Sequence, residues 1–350
     1  MPPLVKILVK KLKLSYLFVM RILVAPNHFN IPAWRRLQLA IPRGFVPDQY
    51  VIYDFKNNSP DDYLSEFDWY RSRWINTPFD PMLNNKVVCA EILQERARVP
   101  ETLFIKNKGR FISYANPRRL AHVSDAIGTV ETHGSVFMKP IGAGKGIGVH
   151  RIECNEGQYR IDGVATSRDT LAELLTSQDG WFFSEFIEQH PALAAIYPKT
   201  SNTIRLITLR EPETGIWKSF FAVLRIGTEA TIPVDNGSQG GLVAQIDMRT
   251  GILSEARSLR SLDSYPTHPN SGASISGAVI PGWQDLVSQT LDLAESFPYM
   301  HFIAWDILLT SDGPCIIEAN TSSGINIIQL WGPQRNGELG DFYRAHRVIR

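Results

Sequence analysis

From Asn84 the apolar positions in NNKVVCAEILQERARV recur at helical spacing until Pro100 closes the run, so a helix is expected there. The period then shortens: ETLFIKNKGRFISY reads as strand, turn and strand with Gly109 in the turn. VFMKP and GVHRIE flank a glycine loop, DTLAELLTS is helical, and WFFSEFI, NTIRLITLR and WKSFFAVLRIG are β-rich. PGWQDLVSQTLDLAESF predicts a helix opened by Pro281, followed by FIAWDILLT, a Ser-Asp-Gly turn and PCIIEAN. Short connections between these strands predict an α+β fold with mostly antiparallel sheet. Before residue 80, short apolar runs mix with aromatic and acidic stretches such as FDWYRSRWINTPFD, with no repeat or chemical motif.

The first 26 residues, MPPLVKILVKKLKLSYLFVMRILVAP, are apolar and basic. Lys6, Lys10, Lys11 and Lys13 interrupt them too often for a membrane span, and no small-residue cleavage site follows. Lysines alternating with Leu, Val and Phe at helical spacing fit an amphipathic helix in peripheral contact with an anionic membrane through residues 1–25. They fit equally a first helix packed on the domain.

Composition narrows the function classes. A chain of 350 residues with 44% apolar and 10% aromatic content can bury a large core, which excludes disorder, and its length suits two or three domains. Lys plus Arg number 36 against 35 Asp plus Glu, and a net charge of +1 gives no field to draw nucleic acid over the whole surface. Cys89, Cys154 and Cys315 lie far apart, a spacing that suits neither a zinc site nor a disulfide framework and fits a reducing cytoplasm.

Two segments carry chemistry. Lys139-Pro-Ile-Gly-Ala-Gly-Lys-Gly-Ile-Gly148 follows a strand, and its glycines let backbone N–H groups converge on phosphate oxygens while Lys139 and Lys145 neutralise them. Gly146 stands where a P-loop needs Ser or Thr, and neither Gly142 nor Gly144 begins a complete GxGxxG. The second segment is the C-terminal hairpin. A three-residue loop Ser311-Asp312-Gly313 with Gly313 left-handed pairs Thr310 with Pro314 and sets Asp306 opposite Glu318. Asn320, two residues on, points to the same side and completes an oxygen cluster of the kind magnesium accepts beside nucleotide phosphates. Two acids facing across an apolar hairpin repel unless a cation lies between them.

Between these segments lie Asn202-Thr-Ile-Arg205, Arg225 and Asp235-Asn-Gly-Ser-Gln-Gly-Gly241, each weak alone. Their order, with Asn84-Asn-Lys86, Lys139-Pro and its loop, Ser184-Glu-Phe-Ile187, Trp305-Asp306 and Glu318-Ala-Asn320, resembles the ATP-grasp superfamily. It resembles in particular the glutamate-ligase-like, sugar-transfer-associated members, over about residues 80–330.

The resemblance implies an ATP-grasp fold: two α/β subdomains clasping ATP, with an additional N-terminal region over residues 1–80 and the ATP-grasp domain over 81–350. The acyl phosphate must be shielded from water, so a small lid subdomain is expected at about 115–185. Lys86 and Lys139 would contact the phosphates, under a closing loop of Gly142, Gly144, Lys145 and Gly146. Glu185, Phe186 and Ile187 would form the adenine-reading hinge, with Gln189 or His190 near the ribose. Asp306, Glu318 and Asn320 would hold one or two Mg2+ ions. Arg205, Arg225 and Asn236 would stabilise the transferring phosphoryl group or the substrate carboxylate. Asn85 stands where such proteins often have Asp before the lysine, which makes the helix entry less acidic.

The implied activity is ATP-dependent joining of a carboxylate to an amine through an acyl phosphate, with a uronic acid, amino acid or peptide as the carboxylate. No side-chain nucleophile is needed, in keeping with the lack of a Ser-His-Asp or Cys-His signature. The same nucleotide site would also serve a kinase acting on an alcohol. It would serve a non-catalytic ATP-binding module too, although a binding-only protein has no physical need for the whole metal set.

Overall fold

The computed structural model describes residues 3–114, 118–142 and 147–350, and contains two antiparallel sheets. The first is built from β1 (Thr102–Asn107), β2 (Arg110–Ser113), β3 (Arg119–Ala121), β4 (Ser135–Pro140), β5 (His150–Asn155), β6 (Gln158–Ile161), β7 (Val164–Thr166) and β8 (Trp181–Glu185). Its order is β3-β2-β1-β8-β4-β5-β6-β7, so it draws in β1 and β2 from before residue 115. Lys108 and Gly109, with φ of 51° and 72°, make the tight β1–β2 turn, and Asp179 fixes it by accepting from both backbone N–H groups at 2.9 and 3.0 Å. Helices Val123–His133 and Arg168–Ser177 cover one face, burying Ile127, Val130, Leu171 and Leu175 against Phe104, Met138, Ile152 and Phe183.

The second sheet holds β9 (Ile204–Arg210), β10 (Trp217–Ile226), β11 (Leu242–Ile246), β12 (Leu253–Ser258), β13 (Ser264–Tyr265), β14 (Phe302–Thr310) and β15 (Gly313–Asn320), in the order β13-β12-β11-β10-β9-β14-β15. Strand alternation divides its side chains. Ile303, Trp305, Ile307 and Leu309 join Leu206, Leu224 and helix Trp283–Glu295 in the largest core. That helix begins after Gly282 (φ 62°) rather than at Pro281. On the other face, Phe302 and Ala304 pack under Ile328, Leu339 and Tyr343, whereas Asp306 and Leu308 face the space between the sheets.

The β14–β15 hairpin reaches the expected pairing by a different route. Thr310 pairs with Gly313 and Leu309 with Pro314, so the loop has two residues, Ser311 and Asp312. Ile307 pairs with Ile316, but Asp306 pairs with Glu318. The extra residue, Ile317, forms a bulge that turns Glu318 to the side of Asp306. Without it, Glu318 would oppose Trp305 and face the core.

Residues before 80 are stitched to the second sheet. The Asn76 side chain donates to Phe302 O at 2.6 Å and accepts from His301 N at 2.8 Å, and the Gln329 amide exchanges two hydrogen bonds with the backbone of Leu64. The helix expected from Asn84 to Pro100 spans only Lys86–Leu93, and Asn85 caps it by accepting from Val87 N and Val88 N at 3.1 and 3.2 Å.

Candidate functional site

Two chain crossings join the sheets and frame one cavity. Leaving β8, the chain lands on β14 where His190 N donates to Leu309 O at 2.7 Å. Entering β1, it touches β15 where Ile316 N donates to Arg98 O at 2.9 Å. Between the sheets lies about 1130 Å³ of non-atom space, part of it open to solvent. Lys86, Lys139, Glu185, Ile187, Arg225, Asp306 and Glu318 line it, all singled out from the sequence. Apolar walls come from Phe137, Phe182, Leu308 and Ile317, a mixture suited to a ligand with a flat apolar part and a charged part.

Charges on the second sheet neutralise one another. Arg205 grips Asp306 with two hydrogen bonds, Nε to Oδ1 at 2.5 Å and Nη2 to Oδ2 at 2.8 Å. Arg225 bridges Asp306 Oδ2 at 3.3 Å and Asp235 Oδ1 at 2.7 Å. Burial disfavours the charge on Asp306, but Arg205 and Arg225 outweigh it and hold its carboxyl below the ordinary range. At Asp235 burial prevails over Arg225 and the Thr203 hydrogen bonds, and its carboxyl lies above that range. Burial likewise opposes the Arg225 charge, yet Asp235, Asp306 and Glu318 together push its pKa upward.

Lys86 and Lys139 approach from the other side. Lys86 Nζ lies 3.3 Å from Glu318 Oε1, joining the helix after Asn85 to β15. Lys139, at the end of β4, forms no ion pair among the described residues and its Nζ sits 5.3 Å from the centroid of the Phe137 ring. Burial lowers its pKa to about 8, with attraction to Glu318 opposing the shift and repulsion from Lys86 adding to it. Ser184 Oγ, also in the wall, is buried with no partner among the described residues, a hydroxyl left for something that enters the cavity.

Other residues named from the sequence fall elsewhere. Arg205 stands behind Asp306 rather than in the cavity wall. Asn320 shares the strand and face of Glu318 but lies opposite Ala304, outside the lining. Phe186 stacks between Phe137 and the Arg151 guanidinium and, with Gln189, lines a second hollow that shares Phe137 and Ile187 with the first. The Gln189 amide is engaged by Tyr197 O, Thr200 O and Asn202 N, and His190 Nδ1 accepts from Ala192 N to cap a short helix. Asn236 accepts from Ser238 N and Oγ while its neighbour Asp235 enters the cavity wall. Gly142 is exposed just past β4, and Gly144, Lys145 and Gly146 lie outside the described residues.

Asp235 opens one of the segments noted in the sequence, but it was Asn236, not Asp235, that was given a role there. It stands beside Asn236 in the glycine-rich stretch, and the acid followed by turn formers was the available signal.

Two sheets clasping a cavity lined by lysines and facing carboxylates form an ATP-grasp fold. The chain belongs to the sugar-transfer associated ATP-grasp family, whose profile matches residues 69–337. A comparison with curated proteins finds no match. Among solved structures it is similar to an ADP complex of purK, N5-carboxyaminoimidazole ribonucleotide synthetase, with 12% identity over 69% of this chain and 45% of that one and a TM-score of 0.40. The ATP-grasp ligase PsnB complexed with a minimal precursor is 14% identical over 78% of this chain and 63% of that one, TM-score 0.41. D-alanine–D-alanine ligase from Bacillus anthracis is 11% identical over 76% and 63%, TM-score 0.37. The chain thus spans 45% to 63% of the length of these proteins.

Proposed function

We propose that this chain is an ATP-dependent carboxylate–amine ligase that makes an amide or peptide bond and releases ADP and phosphate. The observation that carries the reading is Lys139, a partly buried ammonium without an ion-pair partner among the described residues, placed across one cavity from the facing carboxylates Asp306 and Glu318. The lysine side calls for an anion, and the carboxylate side offers oxygen donors that a cation can share with the arginines, so a nucleotide with its magnesium suits both.

Phe137, Phe182, Ile187 and Leu308 suit the base, while Lys139 and Lys86 meet the phosphates. Asp306 and Glu318 offer the hard oxygen donors magnesium accepts, with Asn320 next on the strand. Bound there, magnesium would neutralise phosphate charge that the lysines do not reach. Arg225 sits where the incoming carboxylate would meet the γ-phosphate, and its ion pairs with Asp235 and Asp306 hold its guanidinium in place before substrate arrives. Transfer of the γ-phosphoryl group to the carboxylate oxygen gives an acyl phosphate and ADP. An amine then attacks the acyl carbon, phosphate leaves, and the amine loses a proton.

The test is ADP release with magnesium-ATP and hydroxylamine across a panel of uronic acids, amino acids and short peptides, scored together with hydroxamate. Matching amounts of ADP and hydroxamate support the ligase and name its carboxylate. ADP without hydroxamate, together with a phosphorylated alcohol, overturns it in favour of a kinase.

A further inference from the structure

Charge is distributed very unevenly along this chain. Eight of its 36 Lys and Arg residues and none of its 35 Asp and Glu residues fall within residues 1–47. This near-neutral protein therefore carries a strongly cationic end and a net acidic remainder. The first acid, Asp48, is already engaged by His28 Nδ1 at 2.6 Å.

Exposed apolar side chains concentrate in the same place. Helix Pro3–Leu17 and the π-helical turn Phe18–Leu23 that continues it bury Ile22 and partly bury Leu17 and Phe18. They leave Leu8, Leu12, Tyr16 and Val19 exposed at three- and four-residue spacing, one face of a helix. Helix Ala33–Arg43 does the same: Leu39 and Ala40 are buried, while Trp34, Leu37 and Ile41 are 62%, 52% and 63% exposed. The two elements meet through Ile22 and Ala40. Lys10, Lys11, Lys13 and Arg21 are exposed on the first, and on the second the Arg35 guanidinium lies 4.3 Å from the centroid of the Trp34 ring.

We propose that residues 5–41 form a two-helix dock for an anionic lipid bilayer, with Leu8, Leu12, Trp34 and Ile41 entering the acyl boundary and the lysines and arginines meeting the headgroups. Among the described residues no helix is long and apolar enough to cross a membrane, so the helices lie in the interface. Arg43 pairs with Asp61, but Lys10, Lys11, Lys13, Arg21, Arg35 and Arg36 form no ion pair among the described residues, and apolar stripes flanked by such cations match a surface that is apolar within and anionic above. A second copy of this chain would bring like charges together, which argues for lipid as the occupant. Trp34 and Tyr16 have the amphipathic rings that settle at the headgroup level. The proposal is independent of the ligase reading, because vesicle capture needs neither nucleotide nor carboxylate.

The experiment is flotation of the full chain with vesicles of phosphatidylcholine alone and with about 30% phosphatidylserine, at low and high salt. Capture by the anionic vesicles only, weakening with salt, is expected. Lys11→Gln and Lys13→Gln should each weaken it about fivefold. The combined Leu8→Gln, Leu12→Gln, Trp34→Gln variant should abolish capture with its Tm unchanged, since the replaced side chains are already in water. No capture, or equal capture of that variant, overturns the proposal. So does light scattering that shows a dimer dispersed by the same variant without any vesicle binding.

Discussion

The two walls of the cavity handle charge in opposite ways. On the second sheet, Arg205, Arg225, Asp235 and Asp306 form a closed network in which every charge has a partner. On the first sheet, Lys139 has none among the described residues, and burial brings its pKa down to about 8. A closed network holds its geometry whether or not ligand is present. A partly buried ammonium without a counter-ion is held at a cost in stability and returns that cost when an anion binds. One wall is therefore a rigid template, and the other is poised for an anion.

Breaking the template should have the largest effect. Arg225→Met leaves Asp235 and Asp306 short of a buried partner and should lower stability by about 3–5 kcal/mol in urea denaturation. A loss below about 1 kcal/mol would show that the network is not what holds this wall.

Removing the poised charge should act on function with the opposite sign on stability. Lys139→Met should reduce turnover about 10²–10³-fold and weaken ATP binding in calorimetry, while stabilising the ligand-free protein by about 1 kcal/mol. The pH dependence follows from the same shift. Between about 8 and the ordinary 10.5 the unfolded chain holds a proton on Lys139 that the folded chain has lost, so this residue's contribution to stability rises with pH across that window. ATP affinity should run the other way, falling as pH rises past about 8. In Lys139→Arg it should be flat over the same range, and a parallel fall there would assign the titration to another group.

Gln189→Ala sharpens the line between site and scaffold. Its amide serves three backbone groups, so the substitution should cost about 1–3 kcal/mol in stability and leave ATP affinity nearly unchanged. A selective loss of ATP affinity would restore the ribose role suggested by its place in the sequence. Smallest of all, Lys199→Ala removes an exposed pair with Glu229 and should leave the urea midpoint essentially unchanged.

These contrasts also mark what could be read from the chain beforehand. Elements with a strong period, such as β14, helix Arg168–Ser177 and the Gly109 turn, were legible because local alternation and turn chemistry suffice to specify them. Around the cavity, residue type and order had singled out Lys86, Lys139, Asp306 and Glu318, and the fold brings these four to one lining. What a polar side chain binds was not legible. Gln189 and Asn236 sit beside the site, yet their hydrogen bonds close local loops, and nothing in one dimension separates that role from ligand contact. Asp235 was named without a role for the same reason, because its weight comes from Arg225, ten residues away in sequence and on another element. The acid-free N-terminal stretch was visible as composition, but its second exposed stripe, Trp34, Leu37 and Ile41, needed the packing of Ala40 against Ile22 to show which face is left over.

The short turn after Thr310 and the bulge at Ile317 act as two frame shifts of opposite sense within one hairpin. The first moves the reading of faces out of phase and the second restores it before the chain reaches Glu318. Drawing Gly313 into the loop while pairing Ile317 in the ladder would leave Asp306 and Glu318 facing each other. Either change alone would send Glu318 into the core. The register of the hairpin can thus slip only by paired steps, a shift at the turn answered by one at the bulge a few residues away.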